Sequence, residues 1–135
     1  MHPYEFSVSL RFSGVDFDPE LIPASLGLEP TSKHSKGQTR TTPTEKSLKG
    51  VHETNYCSFL LCKKRSGDLN TFLSGELDKL EKHSKYFEAH IASENKIEFF
   101  IGWYGAGNIG EVFSYLLLRR MGGLGIDMAL DIYVS

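Results

Sequence analysis

Tyr4-Glu5-Phe6-Ser7-Val8-Ser9-Leu10-Arg11-Phe12 alternates apolar and polar residues without a break. A period of two puts Tyr4, Phe6, Val8, Leu10 and Phe12 on one face of a strand and Glu5, Ser7, Ser9 and Arg11 on the other. Such a strand is half-buried, with one side of its sheet on a core and the other in water. The C-terminal stretch repeats the pattern, with Ile126, Met128, Leu130, Ile132 and Val134 set against Asp127, Ala129, Asp131 and Tyr133. Two further apolar runs of strand length, Tyr56–Cys62 and Lys96–Tyr104, lie between them. Lys63-Lys64-Arg65-Ser66-Gly67 reads as the turn after the first of these.

Helical signals separate the strands. Asp18-Pro19-Glu20 reads as cap, first helical residue and first-turn acid of a short helix through Leu26, stopped by Gly27. Asp68 caps the strongest helix, whose stripe of Leu69, Phe72, Leu73, Leu77, Leu80, Phe87 and Ile91 keeps the 3.6 period with a pause near Ser84. Glu111–Met121 is the third, stopped by Gly122-Gly123. The order β-α-β-α-β-α-β predicts an α+β fold: a four-stranded, largely antiparallel or mixed sheet with three helices packed on one face. Residues 1–135 form one domain, with a long polar loop at about 29–55 that has no periodicity.

Composition narrows the function classes. Apolar residues make up 40% and charged residues 24%, with a mean hydropathy of -0.25, which suits a globular chain able to bury a core. A net charge of -2 supplies no field to draw the chain onto nucleic acid or an anionic membrane. Met1–Glu5 lacks a signal-peptide pattern, and Leu116-Leu117-Leu118 is too short to span a bilayer. Cys57 and Cys62, at an odd spacing in one strand, are expected on opposite faces and unbridged. A reduced, cytoplasmic location follows.

Several blocks carry a resemblance. They are Leu10-Arg11-Phe12-Ser13-Gly14, Asp18-Pro19-Glu20-Leu21-Ile22, Leu26-Gly27-Leu28-Glu29-Pro30-Thr31, Lys36-Gly37, and a terminal Leu130-Asp131-Ile132-Tyr133-Val134-Ser135. Together they resemble a bacterial domain-of-unknown-function family of small stand-alone proteins, whose members often carry a tryptophan near the second strand where this chain has Tyr56-Cys57. The resemblance implies a fold and a bacterial source, and it assigns no residue a catalytic role.

Three features compete as a site. Gly105-Ala106-Gly107-Asn108-Ile109-Gly110 matches G-x-G-x-x-G between a strand and a helix, with Asp131 downstream. In a dinucleotide fold Gly105, Gly107 and Gly110 would admit a pyrophosphate, but only one strand follows, and Asp131 lies inside it rather than at its end. Between Pro30 and Gly50 the polar loop carries Lys33, Lys36, Arg40, Lys46 and Lys49 against Glu45, a local excess of four positive charges (five minus one). With its many hydroxyls it suits phosphates or an acidic protein surface, and Lys33, His34, Lys36 and Arg40 are the expected partner contacts. The wet sheet face offers Arg11, Phe100 and Tyr133 among Glu5, Glu98, Asp127 and Asp131, a balance that repels phosphate and disfavours RNA. His83 and His90 are too far apart on one helix to chelate a metal together, and no nucleophile has a base beside it in sequence. We therefore expect a non-enzymatic interaction protein, of the toxin-neutralising (immunity) type, that needs no cofactor or metal and binds a protein partner. The alternative is a small enzyme or nucleotide-binding domain built on the Gly105–Gly110 turn.

Overall fold

The computed structural model describes residues 4–41 and 47–134. The alternating N-terminal segment is β1 (Glu5–Gly14), and it forms the centre of a five-stranded sheet in the order β2-β5-β1-β6-β7. β2 is Ser32–His34, β5 is Asn55–Ser66, β6 is Lys96–Gly105 and β7 is Ile126–Val134. β1 pairs antiparallel with β5 and β6, β2 antiparallel with β5, and β6 parallel with β7, so the sheet is mixed. β3 (Thr39–Thr41) and β4 (Ser47–Val51) form a separate hairpin.

The helices are α1 (Leu21–Leu26), α2 (Leu69–Leu80), α3 (Ser84–Ala92) and α4 (Tyr115–Gly123). Glu81–His83 is a 3-10 turn joining α2 to α3, at the pause expected near Ser84. Asp68 caps α2, its Oδ1 accepting from the Asn70 N–H at 2.9 Å. Gly27 ends α1 in the left-handed region at φ 68°. Tyr4, Phe6, Val8, Leu10 and Phe12 are all buried and meet Leu69, Leu73, Leu77, Phe87, Leu117 and Met121 in one core cluster. Phe12 receives Phe59 and Phe87 edge-on, with ring centroids 6.1 and 5.6 Å away. The helices therefore cover one face of the sheet and leave the other bare.

The α+β class stands, with corrections to the expected four-stranded version. The polar stretch at 29–55 is not one loop: it contains β2, β3 and β4. Its Thr42–Lys46 portion, with Glu45 and Lys46, lies outside the described residues, as does the side chain of Lys49. Lys63–Ser66 extends β5 instead of turning the chain. The expected third helix begins at Tyr115 rather than Glu111, because Ser114 caps it by accepting from the Leu117 N–H at 3.1 Å. It also runs through Gly122 and Gly123 before Gly125 turns at φ 71°.

The cysteine faces are corrected as well. Leu60 pairs with Ser9 and Cys62 with Val8, so Leu61 is an extra residue and the strand bulges there. Beyond a bulge the side-chain parity reverses. Cys57, opposite Phe12, and Cys62, opposite Val8, thus both sit on the core side. Four residues of β1 still separate their partners, roughly 13 Å, and both thiols are free. Burial pushes the Cys57 thiol up to about 11 and raises that of Cys62.

Candidate functional site

The bare face of the sheet gathers flat side chains from four strands. His34 at the end of β2 stands on the same face as Tyr56 of β5, its ladder partner, and their rings stack at 5.1 Å. His52, just past β4, lies on the other side of His34 at 3.5 Å with an interplanar angle of 11°. The Arg11 guanidinium of β1 lies 6.0 Å from the Tyr56 ring and 3.8 Å over the Phe100 ring of β6. The result is a run of π groups, His52–His34–Tyr56–Arg11–Phe100, crossing the sheet from its β2 edge to β6. Arg11 is held in place by Glu98, 3.2 Å away and opposite it in the ladder. With each partner about a third exposed, this pair positions more than it stabilises.

A second, shorter stack lies toward β7. Tyr104 and Tyr133, side by side in the parallel ladder, stack at 4.8 Å and 9°. The Lys64 ammonium sits 4.8 Å from the Tyr104 ring centroid. The Tyr133 hydroxyl donates to Asp131 Oδ2 at 2.5 Å, and that bond to a carboxylate raises its pKa. Gly102, opposite Ser7 in the ladder, is buried beneath the Tyr104 ring, whose atoms lie 3.2–3.4 Å from where a Cβ would stand.

The expected partner contacts are dispersed by the fold. Lys33 points away from the bare face, with its Nζ 2.6 Å from Glu20 of the α1 entry. Lys36 enters a turn whose N–H donates to Asn55 Oδ1 at 2.7 Å, and Arg40 lies exposed in β3. Only His34 joins the site. Arg11, Phe100 and Tyr133 are on the wet face as the alternation predicts, whereas Tyr56 and His52 were not foreseen there.

Gly105 closes β6, Gly107 turns at φ 71°, and Gly110 stands five positions before α4 begins. A pyrophosphate at such a motif needs the helix N-terminus directly behind it. Here Glu111 occupies that place, its Oε1 accepting from the Val112 N–H and its Oε2 from the Tyr4 hydroxyl at 2.7 Å. Tyr4 also accepts from the Leu69 N–H at 3.2 Å and stacks on Trp103 at 4.3 Å, and burial raises its pKa to about 12. A carboxylate tied into the core repels a phosphate from this turn.

Among the described residues no group of three or more His, Cys, Asp and Glu side chains could hold a metal, and no helix is long and apolar enough to cross a membrane. Clefts beside Phe6, Arg65 and Phe72 and between Leu28 and His83 measure about 240 and 210 Å³. Both fall below the ~300–1,000 Å³ usual for small-ligand sites.

A family model described as "Domain of unknown function (DUF4279)" matches residues 3–135. The chain belongs to this family. No curated protein and no solved structure gives a significant match. In this DUF4279 chain the bare sheet face is thus read from its own geometry.

His34 on that face and His90 in the core give the fold a pH dependence. Burial, then the neighbouring His52, lowers the His34 pKa below 6.5. Burial among Phe12 and Phe17 does the same for His90, whose Nε2 has no hydrogen-bond partner. The unfolded chain then binds these protons more readily than the folded one, so stability is full above the unfolded value and falls as pH drops through it. The urea midpoint is expected to decline from about pH 7 to about pH 5, ahead of the carboxylates, and to decline less in His90→Leu. A flat wild-type profile over that window contradicts the assignment.

Proposed function

We propose that this protein is a non-enzymatic interaction protein that holds another protein against the bare face of its sheet, in the manner of a bacterial toxin-neutralising (immunity) protein. The observation that carries the reading is the preformed run His52–His34–Tyr56–Arg11–Phe100, continued by Tyr104 and Tyr133. Aromatic and arginine side chains supply most of the binding energy at protein interfaces, through large contact area at low rotamer cost. Stacking orders these groups before any partner arrives, which lowers the entropy lost on association. A broad sheet face suits a folded protein better than a small molecule, which needs a concavity. Glu98, Asp127 and Asp131 on the same face disfavour nucleic acid. The immunity role is supported by the resemblance to a bacterial family of small stand-alone proteins. A cytoplasmic site of action belongs to the same reading, supported by the two free thiols.

The test sets the sheet face against the basic residues beside it. Binding to the product of the adjacent gene, tested first, is expected to weaken about 10-fold or more in Phe100→Ser and in Tyr133→Ser. The triple variant Lys33→Ser, Lys36→Ser, Arg40→Ser is expected to bind nearly as wild type, with a slower salt-dependent association. The reverse pattern moves the contact to the β2–β3 edge.

A further inference from the structure

More than half of the large apolar side chains left exposed among the described residues lie on β7, on α4 or in the segment entering α4. β7 is an outer strand of nine residues, and its free edge leaves alternate backbone N–H and C=O groups without a neighbour in the sheet. It holds no proline and no lysine, the usual protections of such an edge. On its helix side Ile126 lies in the core and Met128 packs against it. Leu130, Ile132 and Val134 continue the same row but are 46%, 61% and 78% exposed. Above them, α4 turns Arg120 toward Asp78 and Glu81, with Oδ1 of Asp78 at 2.6 Å. The helical period then places Leu118, 47% exposed, on the opposite flank, over the β7 edge.

We propose that this edge is a two-fold interface, in which a second copy of the chain pairs its β7 antiparallel with the first and joins the two sheets into one. The charge pattern of the strand selects the partner and the register. In an antiparallel pair of identical strands, residues meet at positions placed symmetrically about one residue. A two-fold at Ala129 sets Asp127 against the second copy's Asp131, and one at Asp131 sets that aspartate against itself. Like charges directly opposite are destabilising. A two-fold at Met128 or Ile132 shortens the ladder. Symmetry about Leu130 alone pairs all of Ile126–Val134 and keeps the acids apart, with Asp127 facing Tyr133 and Asp131 facing Ala129 of the second copy. On the helix side it builds an apolar ladder: Leu130 on Leu130, Met128 on Ile132, Ile126 on Val134. The two-fold stands perpendicular to the sheet, so both helical layers fall on one side and the two Leu118 side chains approach across the seam. The strand is thus complementary to itself in length and hydrophobicity, in a register that sets no acid directly opposite another.

Sedimentation equilibrium of the full chain is expected to show a dimer. Leu130→Lys with Ile132→Lys is expected to raise its dissociation constant by at least about 100-fold, because each charge enters the seam twice and unpaired. Both positions are exposed in one copy, so folding is expected to persist. Under mild oxidation Leu130→Cys should link to its own copy, since symmetric neighbours lie within disulfide reach. Ala129→Cys and Asp131→Cys should link only when mixed with each other, and wild type under the same oxidant is the blank. A wild type that stays monomeric overturns the proposal and leaves the edge to another protein's strand. So does a dimer in which Asp131→Cys links alone.

Discussion

Leu77→Ala is expected to lower the free energy of unfolding by about 2–5 kcal/mol, read as a fall in urea midpoint with an unchanged slope. Leu77 is completely buried, as are Leu69 and Leu73 on the same stripe of α2. That stripe faces the apolar row of β1, the strand through which β5 and β6 are joined. Truncation removes most of the side chain's transfer energy and leaves a void. How far the wall can close over it decides where in the range the loss falls. Here the wall is a central strand held on both sides, so the upper half is expected. A loss under ~1 kcal/mol means that α2 does not rest on the sheet, and the core as described fails.

The length of a periodic segment decides how much of it is legible in the sequence. β1 and α2 each carry enough residues to display their period, and both were legible down to the face they bury. β2, three residues long, has no period to display. It is held by the ladder of Ser32, Lys33 and His34 with Ser58, Cys57 and Tyr56, and by backbone bonds such as Thr31 N–H to Ser58 O at 2.7 Å. Backbone pairing leaves little trace in side-chain order. The Leu61 bulge is silent for a similar reason: one added residue reverses a parity without changing composition. Half of the site was therefore visible. Arg11, Phe100 and Tyr133 follow from alternation, whereas the stack of His52 on His34 on Tyr56 exists only because β2 and the β3–β4 hairpin fold back onto β5. The α4 start lies four residues beyond the expected Glu111, because Ser114 caps the helix and the Glu111 carboxylate is bonded to the Tyr4 hydroxyl.

Gly14→Ala is expected to destabilise the fold by about 3 kcal/mol or more, the combined cost of backbone strain and over-packing. Gly14 ends β1 at φ 152°, a conformation that side chains rarely adopt. A Cβ there would lie 2.0 Å from Asn95 Oδ1 and 2.7 Å from its Cγ. Asn95 has little room to yield. It is buried, its Oδ1 accepts from the Asp16 N–H at 3.2 Å, and its Nδ2 donates to the Asp16 carbonyl at 3.0 Å. Those two bonds tie the exit of β1 to the entry of β6. Displacing the amide breaks both and leaves a buried polar group to find new partners. The contributions separate in a double-mutant cycle. In an Asn95→Ala background the contacts with Oδ1 and Cγ are gone and the 2.9 Å approach to Cβ is what remains, so adding Gly14→Ala should then cost little more than the backbone part, about 1–3 kcal/mol. Strict additivity of the two substitutions would show that the side chains never meet. Strong coupling would give the glycine of the Leu10–Gly14 block a physical reason: it makes space for the asparagine that closes the strand pair.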